Sequence, residues 1–142
     1  MSVLKHTFKD EIMSSFISPC KGEITPIKGW HWGRNANGIL ISNDLNTPIH
    51  ASERGVVTFN GWLTGYGKTI ILQHLDNHLT LYSHLSLSLV DLYYPVSQYQ
   101  VIGLMGSTGF STQPHLYFEI LQPSHNPIDP LALLNKPINP ES

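Results

Sequence analysis

Thr69-Ile70-Ile71-Leu72-Gln73-His74-Leu75-Asp76-Asn77-His78-Leu79-Thr80-Leu81-Tyr82-Ser83-His84 is the stretch on which the fold class turns. Two runs rich in β-branched, aromatic and other apolar side chains flank the turn Leu75-Asp76-Asn77-His78, which predicts a β-hairpin. Downstream, His115-Leu116-Tyr117-Phe118-Glu119-Ile120 alternates strictly. Leu116, Phe118 and Ile120 take one face of that strand and His115, Tyr117 and Glu119 the other. Val101 to Met105 reads as a short buried strand that ends in the turn Gly106-Ser107-Thr108-Gly109. Gly55 to Asn60 reads as a strand. The glycine-rich Gly61-Trp62-Leu63-Thr64-Gly65-Tyr66-Gly67 reads as a connection, poor in strand character.

Gly and Pro punctuate the chain at short intervals from Ser18 onward, the pattern of an all-β sandwich or open barrel of antiparallel strands. Asp129-Pro130-Leu131-Ala132-Leu133-Leu134 predicts one capped turn of helix, with Asp129 as the cap and Pro130 at the first helical position. Leu4, Phe8, Ile12 and Phe16 lie at helical spacing, so residues 1–17 are expected to form an N-terminal helix or arm. The domain proper is expected over residues 18–134, with a C-terminal tail over 135–142.

The chain has 142 residues, a one-domain length that can bury a core. Eight Lys and Arg against ten Asp and Glu give a formal charge of −2, which argues against a nucleic-acid surface. Charged residues are 13% of the chain, about half the usual share, and aromatics are 10%, so the composition is not that of a disordered segment. No apolar run reaches the ~20 residues of a membrane helix, so no membrane span is expected. The N-terminal residues, interrupted by Lys5, Lys9, Asp10 and Glu11, do not read as a signal peptide. The single cysteine, Cys20, has no internal partner for a disulfide and reads as a small apolar filler.

Eight histidines are the most unusual count in the composition, and histidine is the commonest metal ligand and acid–base group. His6, His78 and His125 lie in arm or turn segments and read as surface or hydrogen-bonded residues. His84 and His115 fall on strands, opposite the apolar face. His84 is expected to share its face with Tyr82, and His115 with Tyr117 and Glu119, each pair about 7 Å apart at i and i+2. Two readings stay open for them: groups flanking one substrate or metal, or solvated histidines on an open sheet face.

An ordered series of motifs carries a resemblance. It runs Gly38-Ile39-x-Ile41, Thr47-Pro48-Ile49-x-Ala51, Gly55-Val56-Val57, Gly65-Tyr66-Gly67-Lys68, Ile71-x-x-His74 and Tyr82-Ser83-His84-Leu85. It continues through Ile102-Gly103-x-x-Gly106-x-Thr108-Gly109, His115-Leu116-x-Phe118-Glu119-Ile120 and Asp129-Pro130. The series resembles the M23 peptidase, or LytM, domain. That resemblance implies a β fold of LytM type and, for active members, a zinc peptidase of the bacterial envelope that cuts peptidoglycan cross-links.

In active members, by the same resemblance, zinc is held by a His and an Asp four residues apart and by the second His of a His-x-His strand. Those three positions fall here on Ala36, Leu40 and Tyr117, so all three ligands are replaced. The family's two non-ligand histidines match His84 and His115. Catalytic zinc takes about three protein donors, and Ala and Leu side chains offer none. A phenol with a pKa near 10 is a poor donor at neutral pH. The zinc site is therefore expected to be lost, with no cofactor and no peptidase activity. A displaced three-histidine site made of His31, His84 and His115 is the alternative that would keep a metal.

The expected binding cleft comprises His84, His115, Tyr117, Tyr82, Trp32 and Tyr66, with Trp30 and Trp62 beside it. Aromatic residues of this kind suit a protein interface and equally stack on sugar rings. The resemblance implies a degenerate LytM-like domain whose cleft grips a protein partner, a cell-wall amidase that it activates during peptidoglycan remodelling and division. A peptidoglycan-binding module and a residual zinc peptidase are the alternatives. An envelope or periplasmic location follows from the family and sits against the absence of a readable export signal.

Overall fold

The hairpin around residues 75–78 is present, and its strands are longer than the apolar runs that announce them. Gly67–Gln73 pairs antiparallel with Leu79–Ser88, with Gln73 opposite Leu79 and Ile70 opposite Tyr82. The computed structural model describes residues 15–136. In chain order its strands are β1 (Phe16–Ile17), β2 (Glu23–His31), β3 (Arg34–Ser42), β4 (Pro48–His50), β5 (Gly55–Leu63) and β6 (Gly67–Gln73). They continue with β7 (Leu79–Ser88), β8 (Pro95–Val96), β9 (Val101–Met105), β10 (His115–Leu121), β11 (Pro127–Ile128) and β12 (Leu134–Lys136). The only helical element among the described residues is the 3-10 turn Pro130–Ala132, capped by the Asp129 side chain on the Leu131 N–H as its sequence predicts.

One sheet of ten strands runs β2-β3-β10-β7-β6-β5-β8, with β11 on β10 and β9 joined to both β4 and β7. Every pairing within it is antiparallel. Antiparallel all-β architecture is therefore the observed class. β1 and β12 pair in parallel, Phe16 opposite Leu134.

Two expectations need correction. Of the helix or arm expected over residues 1–17, the helix does not hold at Phe16, which lies in a strand and is 2% exposed in the core; Leu4, Phe8 and Ile12 lie outside the described residues. Gly61-Trp62-Leu63 belongs to β5, because Thr69, Lys68 and Gly67 across the hairpin supply its backbone partners. At Gly61 the Phe59 ring fills the place of the missing side chain, 3.3 Å from where a Cβ would stand. Of the two readings open for His84 and His115, the solvated sheet face is not the one found, because the central sheet is buried on both faces. One face holds Ile39, Ile41, Ile70, Leu72, Leu116, Phe118 and Ile120, and the other holds Ala36, Tyr66, Leu81, Tyr117 and Leu121.

The second face is closed by the β2–β3 hairpin. β3 pairs with β10 only from Ile39 to Ser42, whereas β2 follows β3 to its end at His31 and Arg34. Beyond Gly38 the hairpin leaves β10 and curls back over the face. A Cβ at Gly38 would stand 2.6 Å from both the Phe118 carbonyl oxygen and the Tyr117 hydroxyl, so the bend needs glycine there. The two-residue turn at the tip has both residues left-handed, Trp32 at φ 50° and Gly33 at φ 83°, the form that matches strand twist in tight hairpins. A tryptophan in that conformation costs about 1–2 kcal/mol, which ring packing at the tip must offset.

Candidate functional site

The curled hairpin brings the three positions expected from the motif series into one cluster. Leu40 on β3 stands opposite Tyr117 on β10, and Ala36, two alternations up the same face, shares a buried cluster with Tyr117. Their chemistry is not that of a metal centre. The Tyr117 hydroxyl donates to Glu119 Oε2 at 2.5 Å. Arg34 Nη1 donates to both Glu119 oxygens, at 2.9 and 2.8 Å, and to the Tyr66 hydroxyl at 2.7 Å. Glu119 is fully buried, and this guanidinium is what balances its charge.

Burial, reinforced by the Glu119 carboxylate, holds the Tyr117 phenol above its ordinary range, so it stays protonated at neutral pH. Ala36 and Leu40 bring no donor, and the one hydroxyl present is committed to Glu119. Three donors for a zinc ion are not assembled at these positions. Among the described residues no group of three or more His, Cys, Asp or Glu side chains is placed to hold a metal ion.

The two histidines expected together are together, with ring centroids 5.0 Å apart. His84 reaches this face through a backbone irregularity and not through alternation from Tyr82. Between Tyr82 opposite Ile70 and Leu85 opposite Lys68 the β7 strand carries an extra residue, and His84 takes φ 64°. Such a bulge re-aims a side chain to the other face. Tyr82 accordingly lies in the main core, 0% exposed, its hydroxyl bonded to Thr80 Oγ1 and to the Ser52 N–H. Its placement in the cleft is thus overturned.

Hydrogen bonding fixes the tautomers. His84 Nδ1 lies 2.7 Å from the Thr108 carbonyl, which can only accept, so Nδ1 carries the proton and Nε2 a bare lone pair. Ser111 Oγ gives its hydrogen to the Gln113 carbonyl and so accepts from His115 Nε2 at 2.8 Å, leaving His115 Nδ1 bare. Burial pushes the His84 pKa down to about 4, with the neighbouring His115 adding to the fall and the Thr108 carbonyl opposing it. Burial lowers His115 as well. Both rings are neutral at pH 7, each donating through one nitrogen and carrying a bare lone pair on the other.

Trp32 covers them. Its ring stands 5.4 Å from His84, 4.9 Å from Tyr117 and 5.1 Å from Tyr66. His31 packs on Trp32 at 5.6 Å and belongs to the hairpin, opposite Arg34, so it does not complete a three-histidine set with His84 and His115. Trp30 and Trp62 are 74% and 62% exposed near the ends of β2 and β5. Arg34 and the role of Glu119 are the residues that sequence reasoning missed. A signal for them existed: a carboxylate two positions after Tyr117 on a buried strand face calls for a cation.

Residues 34–130 match the model of peptidase family M23. The chain is 38% identical over 103 residues to the DD-carboxypeptidase/endopeptidase Mpg of Neisseria meningitidis serogroup B, a match covering 72% of this chain and 24% of that protein. It is 35% identical over 83 residues to the murein hydrolase activator EnvC of Escherichia coli, covering 58% of this chain and 20% of that one. Among solved structures, the antimicrobial peptidase lysostaphin from Staphylococcus simulans superposes with a TM-score of 0.72 at 28% identity, over 86% of this chain and 53% of that chain. The chain spans about a quarter, or less, of the length of these two curated relatives. With the family model matching well over half its length, the chain belongs to peptidase family M23.

Proposed function

We propose that this chain is an M23 domain without zinc chemistry, which binds a protein partner, a cell-wall amidase, and activates it during peptidoglycan remodelling in the envelope. The observation that carries this reading is the filling of the ligand positions by Ala36, Leu40 and the Tyr117–Glu119–Arg34 network. Without a metal nothing lowers the pKa of an attacking water toward 7, and the neutral His84 and His115 have no electrophile to serve. The likeness to EnvC, a murein hydrolase activator, supports a role in which hydrolysis is done by another protein. Activation then works by population shift. The domain binds the open state of the amidase better than the closed one and raises its fraction.

The test is an amidase assay on purified peptidoglycan with and without this chain, run beside zinc analysis and a sedimentation assay with cell wall. Amidase activation without zinc or intrinsic peptide release is the expected result. A second reading, a peptidoglycan-binding module, draws on the exposed Trp30 and Trp62, which suit stacking on sugar rings. Cell-wall sedimentation without amidase activation would favour that reading. One zinc per chain together with released peptides would return the domain to the peptidases.

A further inference from the structure

Among the described residues, His84 Nε2 and His115 Nδ1 are buried nitrogens with no hydrogen-bond partner. Both are bare lone pairs by the tautomer argument above, on rings 5.0 Å apart. A buried acceptor left unsatisfied is destabilising, so each such atom calls for an explanation. The element packed against His84, the ring beside His115, supplies one. Trp32 is only partly buried, sits on a left-handed turn residue, and touches His84, Tyr66 and Tyr117 through its ring. β2 beneath the tip is exposed along most of its length.

From Arg34 to Gly38 the β3 strand has no β10 partner, so the tip is held by side chains: the Trp32 ring and the Arg34 bonds to Glu119 and Tyr66. We propose that the β2–β3 hairpin is a flap, with Trp32 as its plug, and that lifting it opens a site where His84 Nε2 and His115 Nδ1 accept N–H or O–H groups of a polypeptide ligand. Gly38 is the pivot, where the hairpin parts from β10. The ligand's donors complete the two imidazoles, and its apolar side chains take the place the indole leaves against Tyr66 and Tyr117. The flap stands independently of the function proposed above, whereas the identity of the ligand as a polypeptide rests on that reading.

Diethyl pyrocarbonate, which acylates accessible neutral imidazole, tests the flap on the intact chain with each histidine read by mass spectrometry. In the wild type His84 is protected. In Trp32→Gly, a residue the left-handed turn prefers, His84 acylation rises by about tenfold or more, as a switch from a rare to a dominant open state requires. Trp32→Phe keeps a ring in the slot and stays near the wild type. His74, 3% exposed in the main core, is the internal control and remains protected throughout. Equal His84 acylation in wild type and Trp32→Gly overturns the flap, and so does a parallel rise at His74, which would make Trp32 a support of the whole fold.

The ligand half is read in the amidase assay. Trp32→Gly lowers the concentration giving half-maximal activation several-fold, because the closed state no longer competes, and adding His84→Ala removes that gain. An unchanged half-maximal concentration alongside raised acylation overturns the ligand assignment and leaves the flap standing. If the wild type activates no amidase, it is the proposed function that fails, and the acylation pattern still decides the flap.

Discussion

At the scale of single residues, the neutral histidines tie stability to pH. His74 donates from Nδ1 to the Arg54 carbonyl and accepts at Nε2 from Thr80, whose oxygen in turn accepts from Tyr82. A proton on His74 Nε2 would turn that acceptor into a donor and leave one hydroxyl hydrogen of the relay, that of Thr80 or of Tyr82, without an acceptor. Burial lowers the His74 pKa, with the Arg54 carbonyl, Glu53 and Asp76 opposing the fall and His78 adding to it. His84, facing the Thr108 carbonyl, His115 and Trp32, is lowered to about 4. In each case the unfolded chain binds the proton more readily, so stability is full above about pH 6.5 and falls as pH drops toward the folded value. The His84 share alone reaches about 3 kcal/mol by pH 4. Urea midpoints between about pH 7 and pH 4.5 should fall steadily in the wild type. In His84→Asn, which keeps a residue suited to a left-handed backbone, the decline should be shallower. An equal slope in the two proteins would mean that His84 is hydrated and titrates freely.

At the scale of elements, Gly38 decides whether the β2–β3 hairpin can close the second face. Gly38→Ala would drive a methyl group against the Phe118 carbonyl and the Tyr117 ring, both held by β10. The expected cost is about 2–3 kcal/mol, with Trp32 fluorescence shifting toward that of a solvent-exposed indole. Gly61→Ala meets only the edge of the Phe59 ring and should cost well under half as much; comparable urea midpoints for the two variants would refute the pivot. This hairpin also explains which parts of the site were legible in the sequence. Alternation located β10, apolar runs around a polar turn located the hairpin of β6 and β7, and the family resemblance singled out Ala36, Leu40 and Tyr117, which the sheet brings together on β3 and β10. Alternation does not say what covers a face. Closure comes from the distant Trp32, and the face of His84 comes from one extra residue, which reverses every assignment counted from Tyr82. The glycines of β5 misled for a related reason, since cross-strand pairing and the Phe59 ring supply what local propensity lacks.

At the scale of the whole molecule, the two ends of the described segment pair with each other and pack on the core, so they seal the fold. β1 pairs with β12, the Ile17 N–H donates to the Ser52 carbonyl, and the His50 N–H donates to the Pro19 carbonyl. Gln98 donates to the Ser15 and Ser52 carbonyls and ties the same segment to a third stretch of chain. Phe16 is the apolar piece of this seal, edge-on to His74 at 5.5 Å and to His78 at 5.8 Å. Removing its ring leaves a cavity beside the His74 relay, and Phe16→Ala should cost about 3–4 kcal/mol in urea unfolding. Cys20, the only cysteine, lies in the same cluster, 3% exposed, with its thiol pushed up to about 12 by burial. A buried neutral thiol is inert, so Cys20 reports on the seal without any engineered label. In the wild type it should resist a thiol reagent under native conditions. In Phe16→Ala it should react at a rate that exceeds global unfolding, because the β1–β12 pair opens before the ten-stranded sheet does. If Cys20 reacts in Phe16→Ala only as fast as the whole domain unfolds, the termini and the sheet form one cooperative unit, and the seal is not a separately opening part of the fold.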